Sequence, residues 1–206
     1  MSSVLSFQSL RRVWRTLLIT SVLGAVFALA LSFLQPLQYA STVRLLITQT
    51  TSGTTDPYTA LKFTERIAGS LSELLYSSTF ANNILQSASG LDTTYFPREE
   101  YDKRKLWQKT VETAVSPGTG ILTVSAYHPR RDQAKVLVEA ASRELTVQAP
   151  NYFGANVRVQ VIDAPLDSRW YARPDFPGNI ALGFGIGLFL GLAWLLTGSR
   201  RLSSVA

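Results

Sequence analysis

Two uncharged apolar runs, one near each end of the 206-residue chain, restrict its fold more than any other feature. Thr16–Leu34 and Ile180–Leu196 contain no Asp, Glu, Lys or Arg. As a helix, each is long enough to cross a hydrocarbon layer about 30 Å thick. Trp14 and Trp194 stand near the ends of the runs, where indole rings favour the membrane–water boundary.

The charge distribution fits this picture. The chain carries a net +6, yet Arg44 to Asp175 holds 15 basic and 14 acidic residues, a net of only +1. The excess comes from Arg11, Arg12, Arg15, Arg200 and Arg201, which flank the apolar runs. Basic residues just outside a span stay on the cytoplasmic side. The expected layout is therefore a cytoplasmic tail (1–15), a first span (16–34), an extracytoplasmic domain (35–178), a second span (179–196) and a cytoplasmic tail (197–206). A nucleic-acid-binding chain would carry its basic excess on the folded domain instead, so no nucleic-acid partner is expected. The first run has a second reading as a cleaved secretory signal, with Ala28-Leu29-Ala30 as the cleavage site. Its apolar character continues through Phe33 and Leu34, which favours a retained span. There is no cysteine, so the domain has to be held by its core alone, and its length is sufficient for that.

Within the domain, Val43, Leu45 and Ile47 alternate in "YASTVRLLITQT", which predicts a strand. "TTSGTTD" reads as a polar loop. Asp56-Pro57 opens a helix as N-cap and first-turn proline, and apolar spacing carries it over 57–75. A shorter helix is expected from about Thr79, with Phe80 and Ile84 on its buried face. "FPREEYDKRKLWQKTVETA" predicts a charged helix starting at Pro97, with acids ahead of bases as the helix dipole favours. Glu99/Lys103 and Glu100/Arg104 fall at i,i+4, a stabilising spacing. "SPGTG" is a turn and "ILTVSAY" a strand; "HPRRDQAKVLVEAASRELTVQA" is a helix burying Ala134, Leu137, Val138, Ala141 and Leu145. A last strand, "NVRVQVIDA", places Val157, Val159 and Val161 on one face. The class is α+β, with helices covering a small mixed sheet.

The residues of a catalytic centre are scarce. His128 is the sole histidine and precedes Pro129, which predicts a turn position; no thiol is present. Neither a zinc-protease nor a P-loop motif occurs. Asp163 and Asp167 flank Pro165, a setting for caps or turns rather than a catalytic pair. No enzymatic activity, cofactor or metal is expected.

Small residues recur every fourth position in both runs: Gly24, Ala28 and Ser32 in the first, Gly183, Gly187 and Gly191 in the second. Such stripes let helix backbones approach closely in lipid, either within one chain or between copies. Pro165, Pro174 and Pro177 predict a stiff extended collar before the second span.

Three stretches then resemble one family. "LQYASTVRLLI" after the first span resembles the opening strand of the chain-length determinants, or polysaccharide co-polymerases. "HPRRDQAKVLVEAASREL" is similar to that family's D-P-x-x-A helix, with His128 in place of the aspartate. "VQVIDAPLDSRWYARPDFPGNIALGFGIG" is similar to its final strand and proline-rich lead into the second span. The resemblance covers nearly the whole chain in the correct order. It implies an oligomeric protein of the bacterial inner membrane that sets the length of a surface polysaccharide without catalysis. Its implied partners are copies of itself, the membrane polymerase and the growing glycan. Under that reading Arg98, Glu99, Glu100, Lys103 and Arg104 are candidates for contacts between subunits. The chain is too short for the long protruding helix of larger members, so a low domain is expected. Some relatives carry or activate a cytoplasmic tyrosine kinase. Here only "TGSRRLSSVA" follows the second run, which leaves a kinase adaptor as the alternative. An extracytoplasmic ligand sensor is the other.

Overall fold

The structure, a computed structural model, describes residues 7–49 and 56–202. All but Asp56 of the expected loop "TTSGTTD", the first six residues and the last four lie outside them. The chain is α+β and divides into two compact units: one formed by its two terminal segments, the other by Leu37–Ala172.

The terminal unit is a pair of helices, α1 (Phe7–Ser32) and α6 (Phe176–Leu202). Over Val13–Ser32 and Phe176–Thr197 they are long and apolar enough to cross a membrane. Their burial pattern is the reverse of a water-soluble pair. Leu23, Phe27, Phe189 and Leu190 point outward, while Ser21 and Ser32 are buried. Apolar side chains on the outside and small polar ones within suit a hydrocarbon surround.

The second unit follows the order β1 (Tyr39–Gln49), α2 (Pro57–Leu75), α3 (Ser78–Ser87), a 3-10 turn (Thr93–Tyr95), α4 (Glu100–Thr110), β2 (Val111–Ser116), β3 (Ile121–His128), α5 (Arg131–Phe153) and β4 (Val157–Asp167). The strands form one sheet in the order β2-β3-β1-β4. Every pairing is antiparallel, so the expectation of a mixed sheet is corrected. The reason is topological. The connection through α5 does bring β4 into the same direction as β3, but β1 lies between them, so no parallel pair forms.

Local chemistry explains where the elements begin. The Asp56 carboxylate accepts from Thr59 N–H at 3.2 Å, with Pro57 in the first turn, so α2 begins where the N-cap predicts. Ser77 caps α3 in the same way through Phe80 N–H. By contrast, α4 begins at Glu100 rather than Pro97, because Glu99 is still extended (φ −71°, ψ 129°). The sequence pattern also predicts that this helix continues through "VETA". Instead the chain turns at Thr110 into β2, whose pairing with β3 from Val111↔Ala126 to Ser116↔Ile121 outweighs continuation of the helix. The intervening turn needs Gly118 and Gly120 at φ +68° and +64°, conformations that cost other residues strain.

The core lies between one sheet face and the helices. Val43, Leu45 and Ile47 of β1 meet Leu137, Val138, Ala141 and Leu145 of α5, with Ile67, Leu71 and Leu75 of α2 and Trp107 of α4. Burial of this apolar surface is the main stabilising contribution. The last strand departs from expectation. Val157 and Val159 are buried, whereas Val161 is 49% exposed, and β4 continues to Asp167 through Pro165. Proline is tolerated there because β4 is an edge strand.

Candidate functional site

The small residues of the two apolar runs meet within one chain. Asn179 Nδ2 donates to Ser32 Oγ at 2.9 Å; Gly183 faces Gly24 and Ala28, Gly187 faces Thr20, Ser21 and Gly24, and Gly191 faces Leu17 and Thr20. As α1 advances from Leu17 to Ser32, its partners on α6 retreat from Gly191 to Asn179, so the two helices are antiparallel. A Cβ added at Gly183 would lie 2.5 Å from the Gly24 carbonyl oxygen, and one at Gly187 would lie 2.8 Å from Ser21 Cα. Backbone thus meets backbone, which only glycine permits. Ser32 Oγ also bonds back to Ala28 C=O at 2.9 Å. On one side the pair leaves a groove of about 670 Å³ running from Thr20 and Leu190 to Gln35 and Asn179.

The three prolines of the expected collar do not act together, which corrects that reading. Pro165 lies within β4, Pro174 is a buried residue of the connection that follows β4 in sequence, and Pro177 stands in the first turn of α6. Asp163 and Asp167 are also strand residues rather than caps. Asp163 approaches Arg44 at 3.7 Å. Asp167 accepts from Ser41 Oγ at 2.7 Å and lies 3.9 Å from Arg131.

The charged segment around α4 separates into two groups. Lys103 is only 19% exposed; its ammonium contacts Glu100 at 2.8 Å and donates to Asn82 Oδ1 of α3 at 2.9 Å. This i,i+3 pair replaces both i,i+4 pairs expected from the spacing. The hydrogen bond from Lys103 holds the Glu100 carboxyl below its ordinary pKa. Beneath it, Trp107 is fully buried and donates Nε1–H to Leu75 C=O at 2.7 Å. Glu100 and Lys103 therefore join α3 to α4, whereas Arg98, Glu99 and Arg104 are exposed and enter no ion pair among the described residues.

His128, expected in a turn, instead ends β3 and is 2% exposed. Its Nδ1 accepts Arg130 N–H at 3.0 Å, which assigns the proton of the neutral ring to Nε2. Nε2 has no hydrogen-bond partner among the described residues, and the Tyr95 ring stands edge-on at 4.3 Å. Burial pushes the imidazole pKa below its ordinary value because the cation would lose its hydration. Around it, Arg130 pairs with Asp92 at 2.7 Å, and Gln133 bonds both Asp92 N–H and Gly90 C=O, at 2.7 and 3.2 Å. The Asp92 carboxyl is held below its ordinary pKa, first by the Thr94 hydroxyl and amide and then by Arg130. The Asp132 carboxyl is likewise lowered, chiefly by Gln133. This cluster straps the 88–98 segment onto the start of α5. The sequence favours a structural or incidental role for His128 over a catalytic one but carries no sign of the strap, since the bonds that close it, Arg130 to Asp92 and Gln133 to Gly90, join residues 38 and 43 positions apart.

Among the described residues, no group of three or more His, Asp or Glu is placed to hold a metal ion. The features that stand out are a glycine-seamed helix pair and an α+β unit with an exposed charged helix. The chain matches no protein-family model, and comparison with curated proteins yields no match.

Proposed function

We propose that this chain is an inner-membrane regulator of surface polysaccharide length, acting without catalysis as an oligomer alongside a membrane polymerase. The observation that carries the reading is the architecture: a single α+β unit whose two ends, Leu37 and Ala172, each lead within a few residues to a span-length helix, the two helices packed antiparallel. If both helices cross the bilayer, an antiparallel pair returns the chain to the side it started from. Arg11, Arg12, Arg15, Arg200 and Arg201 put that side in the cytoplasm. The α+β unit is then extracytoplasmic, where a surface glycan is built. The sequence stretches that resemble the chain-length determinants supply the polysaccharide; the architecture alone would suit other membrane proteins.

The test is the length distribution of surface polysaccharide, resolved on a gel, in a strain deleted for this protein and then complemented. Loss of the modal length with glycan still produced supports the reading. Loss of all glycan, accompanied by loss of tyrosine phosphorylation in the cytoplasm, points to a kinase adaptor. An unchanged profile rejects both.

A further inference from the structure

At one end of the sheet the chain leaving β4 folds back along the start of β1. Ser41 Oγ donates to Asp167 (2.7 Å), Ser168 N–H to Ala40 C=O (2.7 Å), Ala40 N–H to Ser168 Oγ (2.9 Å) and Ala172 N–H to Gln38 C=O (2.8 Å). The Tyr171 ring lies 4.6 Å from that of Tyr39. The segment is thus fixed at five points, yet it holds Trp170 82% exposed and Leu166 77% exposed, with Arg169 also in the open. Among the described residues of the Leu37–Ala172 unit, no other large apolar side chain is so exposed.

Chain connectivity says what can cover them. Trp170 precedes Phe176, the first residue of a span-length helix, by only six residues. Even fully extended, six residues reach only about 20 Å. Gln38, bonded to Ala172, stands just as close in sequence to Ser32, where the other span-length helix ends. Both tethers therefore hold this end of the sheet near a bilayer surface. The exposed chemistry suits that surface: indole and phenol rings settle at the headgroup level, and arginine reaches lipid phosphate.

We propose that the Leu166–Tyr171 segment is a membrane-surface anchor whose partner is the phospholipid headgroup layer. Trp170 and Leu166 enter the layer, and Arg169 contacts its phosphates. The anchor rests on the membrane reading of α1 and α6 but not on the polysaccharide role.

The chain has no cysteine, so a single engineered thiol can carry a fluorophore. The full chain is reconstituted in vesicles of phosphatidylcholine and phosphatidylglycerol, with and without bromine on the upper acyl carbons. Labels are placed by Trp170→Cys, by Leu166→Cys (which keeps the indole), by Tyr101→Cys on the exposed face of α4 and by Phe189→Cys within α6. Labels at 166 and 170 are expected to shift to the blue and lose emission to bromolipid, while the label at 101 does neither. Quenching at 189 without quenching at 166 and 170 overturns the anchor and leaves the spans intact. No quenching at 189 overturns the membrane reading and the anchor with it. A label at 170 that is shielded from aqueous iodide but unquenched by bromolipid means that protein, such as a second copy, covers the segment, and also overturns the proposal.

Discussion

Asn179 on α6 donates its side-chain amide to Ser32 on α1 across 2.9 Å, one turn beyond the contact of Gly183 with Gly24. The helix pair is thus closed by a hydrogen bond at one end and by glycine contacts along its length. In hydrocarbon such a bond contributes about 0.6 kcal/mol on average and up to about 2. Asn179→Leu is therefore expected to lower the stability of the pair only modestly. Thermal unfolding of the full chain in mild detergent checks this, and a loss as large as that of a glycine-seam variant would contradict it.

The seam itself tolerates less. At Gly183 and Gly187 an added side chain meets partner backbone rather than a flexible side chain. Gly187→Leu should cost about 1–3 kcal/mol or separate the helices, as overpacking does elsewhere. Gly185, with open space at its Cβ position, is the control. Gly185→Leu should unfold like the parent chain, and equal losses at the two positions would refute the seam.

The α+β unit depends heavily on one indole. Trp107 is fully buried, its ring centroid lies 6.0 Å from that of Phe96, and its N–H is satisfied by Leu75. Trp107→Ala should destabilise the unit by about 3–5 kcal/mol. Trp107→Phe should cost less, because it keeps most of the apolar contact and loses the hydrogen bond. The urea midpoint of the unit's unfolding measures both.

His128 makes stability depend on pH in a defined window. Its folded-state pKa is lowered, so the unfolded chain binds more protons, and stability falls as pH drops. The contribution is complete above the ordinary histidine value of about 6.5 and is lost as pH falls through the lower folded value. Asp92, Asp132 and Glu100, also lowered, act in the same direction but below the ordinary carboxylate range. His128→Asn keeps an acceptor for Arg130 N–H and removes the titration. It should flatten the stability profile between pH 7 and pH 5, while the steeper loss at lower pH remains. A variant profile parallel to the parent's would discard this account.

Within α4, the two groups of charges predict different phenotypes. Lys103→Ala should loosen α3 from α4 and lower stability, since the lysine is mostly buried between Glu100 and Asn82. Reversing Arg98, Glu99 and Arg104 together should leave folding intact and, under the oligomer reading, lower the subunit count seen by native mass spectrometry. An unchanged count removes these residues from any subunit contact.

Much of the α+β unit was legible because its signals are local. The N-cap at Asp56, the helix over 57–75, the buried face of α5 and the alternation of β1 all rest on residues within a turn or two of one another. The glycine stripes were legible for the same reason, since four-residue spacing marks a helix face wherever that face docks. What was missed depends on distant partners. Val111–Ser116 became a strand because β3 was there to pair with it, and Lys103 turned inward because Asn82 offered an acceptor. His128 was buried because the 88–98 segment folds over it.

The sequence by itself determined that the chain has two span-length apolar helices with arginines outside them and a cysteine-free α+β domain between, because hydropathy and charge act residue by residue. Only the tertiary structure decided that the glycines of the two helices meet within one chain, that all four strands pair antiparallel, that Pro165 belongs to an edge strand, and that Trp170 is held exposed. Each of those outcomes is a choice of partner across dozens of residues, set by which surfaces fit once the chain has collapsed, and spacing along the chain carries no record of it.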